Sequence, residues 1–286
     1  MHLRPLRFGV ALMRPAGRAQ WQAKCRQAEQ LGYDVITVPD FIGGPAPLLA
    51  LALAAQATER AQVGSYALNC GFHRPPLLAR DLVAMIELAD GRMEVGLGTG
   101  YAEADFEAAG VAWTSPADRL AHLASTVLEL QPVLADAATP LLIGGSGRRL
   151  LGYAARHADI VSLTGAETRT ARGKATLMSC ATLADRLHRI RLAAGDRVDR
   201  VELNIMVHAV YLTGDVSAAA EFRGNYARHL PEADLPELPS LLCGTEQSIA
   251  EDILRFRAAL GISYFTVLEP AMADFARVLR QLRSEQ

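Results

Sequence analysis

Apolar residues in this chain come in short blocks, and the blocks alternate between two spacings. Arg7–Met13 (RFGVALM) is a compact apolar run and predicts a short buried strand. Arg18–Leu31 follows with helical character and stops at Gly32, a residue suited to a helix C-terminus. Tyr33–Val38 (YDVITV) is rich in β-branched residues and predicts a second strand. The pattern repeats with a helix at Pro47–Arg60, a strand at Gln62–Leu68, a helix at Pro75–Ala89 and a strand at Arg92–Leu97. Pro75 and Pro76 fall in a first helical turn, where a missing N–H costs little.

The second half continues in the same way. Ser115 is the expected N-cap of a helix reaching about Leu134, with Pro116 at its first position and Asp118 reaching back. Then come a strand at Pro140–Ile143, a helix at Arg148–His157, a strand at Ile160–Leu163 and an amphipathic helix at Thr176–Ala194. Val201–Tyr211 predicts a strand, Ser217–His229 a helix, and Gln247–Leu260 a helix stopped by Gly261. Tyr264–Leu268 (YFTVL) is the last strand, before a helix over Met272–Leu282. Pro231–Pro239 (PEADLPELP) is the most loop-like stretch and is expected to form a flap over a site.

Eight strands alternating with helices predict a parallel (β/α)8 barrel, a TIM barrel, spanning 1–286 as a single domain. The rival is an open doubly wound sheet, which expects GxGxxG directly after the first strand. Arg14-Pro15-Ala16-Gly17-Arg18 stands there instead.

Composition narrows the class further. Of 286 residues, 50% are hydrophobic and 21% charged, enough apolar material for a large core, so global disorder is excluded. Lys+Arg total 29 against Asp+Glu 31, so no basic excess points to nucleic acid or to an acidic membrane surface. The apolar run Phe8–Met13 ends at Arg14, too short for an export signal, and Phe41–Thr58 is too interrupted to span a bilayer. Cys25, Cys70, Cys180 and Cys243 lie far apart, so no disulfide framework or zinc ribbon is expected, and a reducing cytoplasm is the simplest setting. No HxxxH or HxH spacing indicates a metal, and no GxSxG element a hydrolase.

A barrel carries its active site at the C-terminal ends of its strands. Gly144-Gly145-Ser146-Gly147-Arg148-Arg149 follows the fifth strand. Its glycines let backbone N–H groups crowd one point, and the next helix adds free donors and a positive dipole end. Phosphate binding and a tight turn both need that composition. Gly96–Gly100 (GLGTG) has the same two readings, and its repetition favours a phosphate-bearing cofactor. Asp40, after the second strand, is a ligand acceptor or a turn cap. His73 is an acid–base candidate or a loop residue capping the Pro75 helix, the second being the simpler reading. Cys70 has no neighbouring histidine in sequence and reads as structural.

These segments together resemble the luciferase-like monooxygenase family, in particular its deazaflavin (coenzyme F420) dependent oxidoreductases. The resemblance rests on YDVITVPD, VGSYALNCGFHRPPLLAR, DGRMEVGLGTGYAEADFEAAGV, PLLIGGSGRRLLGYAARHADIV and CGTEQSIAEDILRFRAALGISYFTV, in that order. It implies a flavin-type ring in the barrel mouth. On this chain it implies Asp40 at the polar end of the ring, Ala67 against the ring beside a non-prolyl cis peptide, and Asn69 as a contact. It further implies Thr99, Gly100 and Glu103 along the ribityl–phosphate path, and Gly145, Ser146, Gly147 and Arg148 at the phosphate.

One departure bears on the reaction. Many alcohol- and sugar-oxidising members carry Asp-His after strand two, whereas this chain has Asp40-Phe41. The catalytic residue is therefore unassigned, with Asp40, His73 and Glu103 as candidates. Phe41, Phe72 and Trp113 form the expected wall of an apolar substrate pocket. The resulting expectation is an F420H2-dependent reductase delivering hydride to a C=C or C=N bond of a small organic substrate. The alternatives are an FMN-dependent monooxygenase using O2 and a non-catalytic flavin-binding protein. The expected partner is a small molecule, with a homodimer left open; an arginine rim of Arg148, Arg149, Arg169 and Arg172 is expected to attract the acidic tail of F420.

Overall fold

Eight parallel strands close into a barrel in the computed structural model, which describes residues 3–14, 16–168, 175–212 and 216–284. In chain order the first half runs β1 (Arg7–Ala11), α1 (Arg18–Gln30), β2 (Val35–Val38), α2 (Pro47–Ala57), β3 (Gln62–Ser65), β4 (Leu68–Asn69), α3 (Pro75–Leu88) and β5 (Met93–Gly98). Next come α4 (Glu103–Ala108), α5 (Pro116–Asp136), β6 (Leu141–Gly145), α6 (Arg148–His157), β7 (Ile160–Leu163), β8 (Ala166–Thr168), β9 (Ala175–Leu177) and α7 (Cys180–Ala194). The chain ends with β10 (Glu202–Val207), β11 (Ala209–Leu212), α8 (Val216–Phe222), β12 (Leu241–Gly244), α9 (Glu246–Leu260), β13 (Ile262–Leu268) and α10 (Met272–Ser284). The barrel order is β1–β2–β3–β5–β6–β7–β10–β13, and β13 returns to β1 with Val10 opposite Val267.

Local chemistry explains the element ends. Pro47, Pro75 and Pro116 each open a helix. Ser115 Oγ accepts from Asp118 N at 3.2 Å and donates to Asp118 Oδ2 at 2.7 Å, so the expected cap forms. Gly261 ends α9 in the left-handed region, φ 73°. Along β1, Phe8, Val10 and Leu12 face the helical shell, while Arg7, Gly9 and Ala11 face the lumen.

The N-terminal end of the barrel is plugged by charge. Arg7 reaches Glu94 at 2.8 Å, Glu202 at 2.6 Å and Gln62 at 2.7 Å, and its guanidinium lies 4.5 Å from the Tyr264 ring centre. Burial pushes the Glu94 carboxyl above its usual range.

Four expectations change. The Thr176–Ala194 helix starts only at Cys180, capped by Ser179, because Ala175–Leu177 pairs antiparallel with β8. Val201–Tyr211 breaks at His208, and its second part pairs with β12, a strand the apolar pattern did not predict. Ser217–His229 is α-helical only to Phe222 and continues as a wider turn through Ala227. Pro231–Pro239 is not a free flap: it holds a 3-10 turn, Glu232–Glu237, and buries Leu238 beside Ala227, Leu230 and Leu241. Tertiary packing decides all four. These pieces follow the C-terminal ends of β7 and β10, so they build on the mouth side of the barrel.

Candidate functional site at the barrel mouth

Two clusters occupy the C-terminal rim. At the first, Asp40 sits just beyond β2 with its carboxylate largely buried. Its Oδ2 accepts from the backbone N–H of Asn69 at 3.0 Å and lies 3.0 Å from Nε2 of His73. Asn69 Oδ1 accepts from Gly71 N at 3.1 Å, capping the turn Cys70–Phe72. His122 on α5 straps that turn from outside, its Nε2 lying 2.9 Å from Cys70 O and 3.2 Å from His73 O. Burial pushes the Cys70 thiol up to about 12, so this cysteine is structural, as its sequence context indicated.

The wall between the clusters is made of small residues. β3 kinks into β4 at a cis peptide, Tyr66–Ala67, the non-prolyl cis bond that the family resemblance implied. Ala67 Cβ lies 3.7 Å from where a side chain on Gly98 would begin, and Gly144 O lies at the same 3.7 Å. A Cβ on Gly96 would stand 2.0 Å from Ser65 O, so β3 and β5 approach there as only glycine allows. Thr99 and Gly100 continue this wall, and Gly100 has φ 70°. A Cβ on Gly100 would meet Asn69 Oδ1 at 2.7 Å.

The second cluster is the turn after β6. Gly147 is the N-cap of α6, no side chain caps that helix, and nothing lies within 4 Å of where a Gly147 Cβ would be. The first N–H groups of α6 are thus free of a side-chain cap among the described residues, as the N-terminus of an anion-binding helix is. Arg186 on α7 donates from Nε to Ser146 O at 3.0 Å and anchors the turn. Arg186 also pairs with Asp185 at 3.0 Å and Glu167 at 3.2 Å, while Arg148 Nε lies 3.5 Å from Asp185. Arg149 is exposed, and Arg169 and Arg172 lie outside the described residues.

Below the mouth, the lumen holds a polar group among apolar side chains. Asn204 Oδ1 accepts from Tyr66 OH at 2.8 Å and from Ser162 Oγ at 2.7 Å, and Asn204 Nδ2 donates to Thr266 Oγ1 at 2.9 Å. Burial raises the Tyr66 phenol, so it stays a neutral donor. His208, beyond β10, has Nε2 2.7 Å from Thr164 O, and burial lowers its basicity.

The expected residues are thus distributed unevenly. Asp40, Asn69, Gly100 and His73 come together; Gly145, Ser146, Gly147 and Arg148 form the second cluster. Phe72 and Trp113 are joined through Phe106, with ring centres 5.4 Å and 4.9 Å from it. Phe41 folds instead against Gly44. Glu103 is exposed in the first turn of α4. Arg186, His122, Asp105 and the Tyr66–Ser162–Asn204–Thr266 group were missed, because no local motif marks them. Asp105 carries the trace of the site: burial, and then the charge of Asp40, push its carboxyl up. No group of His, Cys, Asp and Glu among the described residues is arranged to hold a metal ion. No helix among them is long and apolar enough to cross a membrane.

The family model described as luciferase-like monooxygenase matches residues 5–263. The chain belongs to this family. Curated relatives of this luciferase-like protein include the F420-dependent glucose-6-phosphate dehydrogenase of Kribbella flavida, 33% identical over 110 residues. The same enzyme of Amycolatopsis mediterranei is 30% identical over 110 residues. In both cases the match covers 35% of this chain and 33% of the relative. Among solved structures, an F420-dependent secondary alcohol dehydrogenase bound to an F420–acetone adduct superposes with TM-score 0.74 at 16% identity, covering 98% of this chain and 100% of that one. The F420-dependent tetrahydromethanopterin reductase of Methanopyrus kandleri gives 0.71 at 13%, covering 97% and 98%. The long-chain alkane monooxygenase LadA gives 0.75 at 12%, covering 99% and 92%. At these identities the structures share the fold.

Proposed function

We propose that this luciferase-like barrel is an F420H2-dependent reductase acting on a C=C or C=N bond of a small, largely apolar molecule. The observation that carries the reading is the pairing of two sites at one barrel mouth. A carboxylate stands at one end, an uncapped glycine turn at the other, and a wall of the small residues Ala67, Gly98 and Gly144 lies between them. A flat polar ring with a phosphate arm fits that sequence of surfaces. The curated relatives named for F420 support the deazaflavin over FMN, and Phe41 after Asp40 supports reduction over alcohol oxidation. The monooxygenase reading is supported by the family model.

When bound, the reduced deazaflavin supplies the hydride. The protein supplies the rest. Asp40 would accept a hydrogen bond from the polar end of the ring. Gly145, Ser146 and Gly147 would offer backbone donors to the phosphate, and Arg186 keeps their turn in place. Phe72, Phe106 and Trp113 exclude water and receive an apolar substrate.

Titration of apoprotein with F420 and with FMN, at low and at high salt, tests the reading. F420 is expected to bind more tightly, with an affinity that falls as salt rises, because its acidic tail passes Arg148 and Arg149. Equal or tighter FMN binding transfers the assignment to the monooxygenase.

A further inference from the structure

Reduction of a polarised double bond needs a proton as well as a hydride, and Phe41 cannot move one. The same mouth holds a histidine from a different loop. His73 is pinned on both sides of its backbone: its N–H donates to Cys70 O at 3.1 Å, and its C=O lies 3.2 Å from His122 Nε2. Its ring is half-buried and makes one hydrogen bond among the described residues, from Nε2 to Asp40 Oδ2 at 3.0 Å. The other ring nitrogen, Nδ1, is left without a protein partner among those residues.

That is the arrangement of an oriented acid–base group. A carboxylate holds the Nε2 proton, fixing the tautomer, and leaves Nδ1 to take or give a second proton. Asp40 is itself held by the Asn69 N–H, so turning the ring breaks its contact with a carboxylate that is fixed in place. Three other histidines spend a ring nitrogen on backbone carbonyls. His122 spends Nε2 on two carbonyls, His208 on Thr164 O and His229 on Leu177 O. Tyr66 is a high-pKa donor deep in the lumen, and Glu103 is exposed on α4.

We infer that His73, oriented by Asp40, delivers the proton that completes the reduction. The inference rests on the reductase reading. The carbon of the double bond takes a hydride from the reduced deazaflavin, and the π electron pair moves to the neighbouring atom. That atom takes the proton from Nδ1 of the imidazolium. The proton released by the oxidised cofactor goes to solvent, and solvent reprotonates His73. Asp40 after β2 contacts the His73 ring, Asp105 on α4 feels the charge of that same Asp40, and His122 on α5 contacts the His73 carbonyl; Arg74 is exposed and Arg119 stacks on Trp113.

His73→Gln keeps a side-chain N–H for Asp40 and removes the mobile proton. The inference expects F420 affinity within about twofold of the parent and a turnover lower by about 10²–10³-fold. Parent turnover is expected to fall as pH rises, because the proton comes from His73, and the variant is expected to lack that fall. Unchanged turnover with unchanged pH dependence, with F420 still bound, overturns the role of His73 and leaves the reductase reading standing. Nitrogen-15 NMR of histidine-labelled apoprotein reads the dyad without cofactor or turnover. The neutral His73 ring is expected to carry its proton on Nε2 in a hydrogen-bonded state that Asp40→Asn weakens. A ring protonated on Nδ1, or one indifferent to Asp40→Asn, overturns the orienting contact. Failure of F420 to bind the parent protein overturns both the reading and the proton delivery built on it.

Discussion

At the N-terminal end of the barrel, Arg7 contacts two carboxylates and an amide oxygen, each within 2.8 Å. At the C-terminal end, Asp40 is held by one backbone N–H and one half-buried imidazole. The helix beyond Gly147 begins with no side-chain cap. Both ends are polar, but only the first has its hydrogen-bonding capacity filled from within. A filled network holds the barrel closed, whereas an unfilled one keeps donors and acceptors available to a ligand. Stability and binding should therefore separate by end.

Arg7→Met gives the largest effect. It leaves Glu94 buried with no cation, which should cost about 3–5 kcal/mol. Denaturant unfolding measures the loss, and F420 affinity of the folded protein should stay within about twofold of the parent. An affinity that falls with stability would break the separation.

Gly100→Ala tests the mouth for stiffness. The residue has φ 70°, and a Cβ would press on Phe106 at 2.5 Å and on the Asn69 amide at 2.7 Å. A loss of about 1–3 kcal/mol is expected, together with weaker cofactor binding, because the Asn69–Asp40 contact moves with it. Thermal melts and a binding titration check both.

Gly147→Asp should act in the opposite sense on the two quantities. Aspartate is a good N-cap and the space is open, so stability should hold or rise by a few tenths of a kcal/mol. Its carboxylate would repel the phosphate and occupy the helix donors. A loss of at least about tenfold in F420 affinity, roughly 1.4 kcal/mol, is expected by calorimetry. Unchanged affinity in the folded variant would remove the phosphate site.

These two regions also differ in how far they could be read before folding. The glycine turn is a contiguous segment, GGSGRR, so its composition shows in one line of sequence. The other cluster joins Asp40 and His73 across 33 positions, and its geometry exists only once β2 and β3 lie side by side. Asp40 and His73 could each be singled out in sequence as a candidate, His73 with a loop cap as the simpler reading, but their contact with one another could not. Arg186 was invisible for the same reason, since its contact with Ser146 spans 40 residues. The eight barrel strands were legible because each is an apolar run bounded by glycine, proline or a cap. The β8–β9 hairpin was not, since its two three-residue strands carry too little periodicity to separate strand from helix, and the four residues of β12 were missed as well.

The smallest predicted effect concerns acid stability at the closed end. Burial alone would raise the Glu29 carboxyl, but N–H bonds from Ala61, Arg60 and Glu59 bring it below its ordinary 4.5. A carboxyl lowered on folding adds stability above its unfolded value, and that stability is lost as pH falls through the folded one. Glu29→Gln should therefore flatten the unfolding free energy below pH 4.5 and leave F420 binding at neutral pH unaltered. An unchanged acid limb would count against these three bonds.

The seam between β3 and β5 bears on how this scaffold could be re-engineered. At Gly96 a side chain would begin 2.0 Å from Ser65 O, and at Gly64 2.9 Å from Glu94 O. In a saturation library these positions should be almost empty of survivors, alanine included, whatever activity is selected. Gly147, Gly43 and Gly110, with nothing within 4 Å, have the room that the seam lacks. Of these, Gly147 also has an ordinary negative φ of −74°, so it alone of the three accepts side chains without backbone penalty. Diversity introduced at the rim can thus explore new ligands, while a recombined chain would have to take β3 and β5 from one parent.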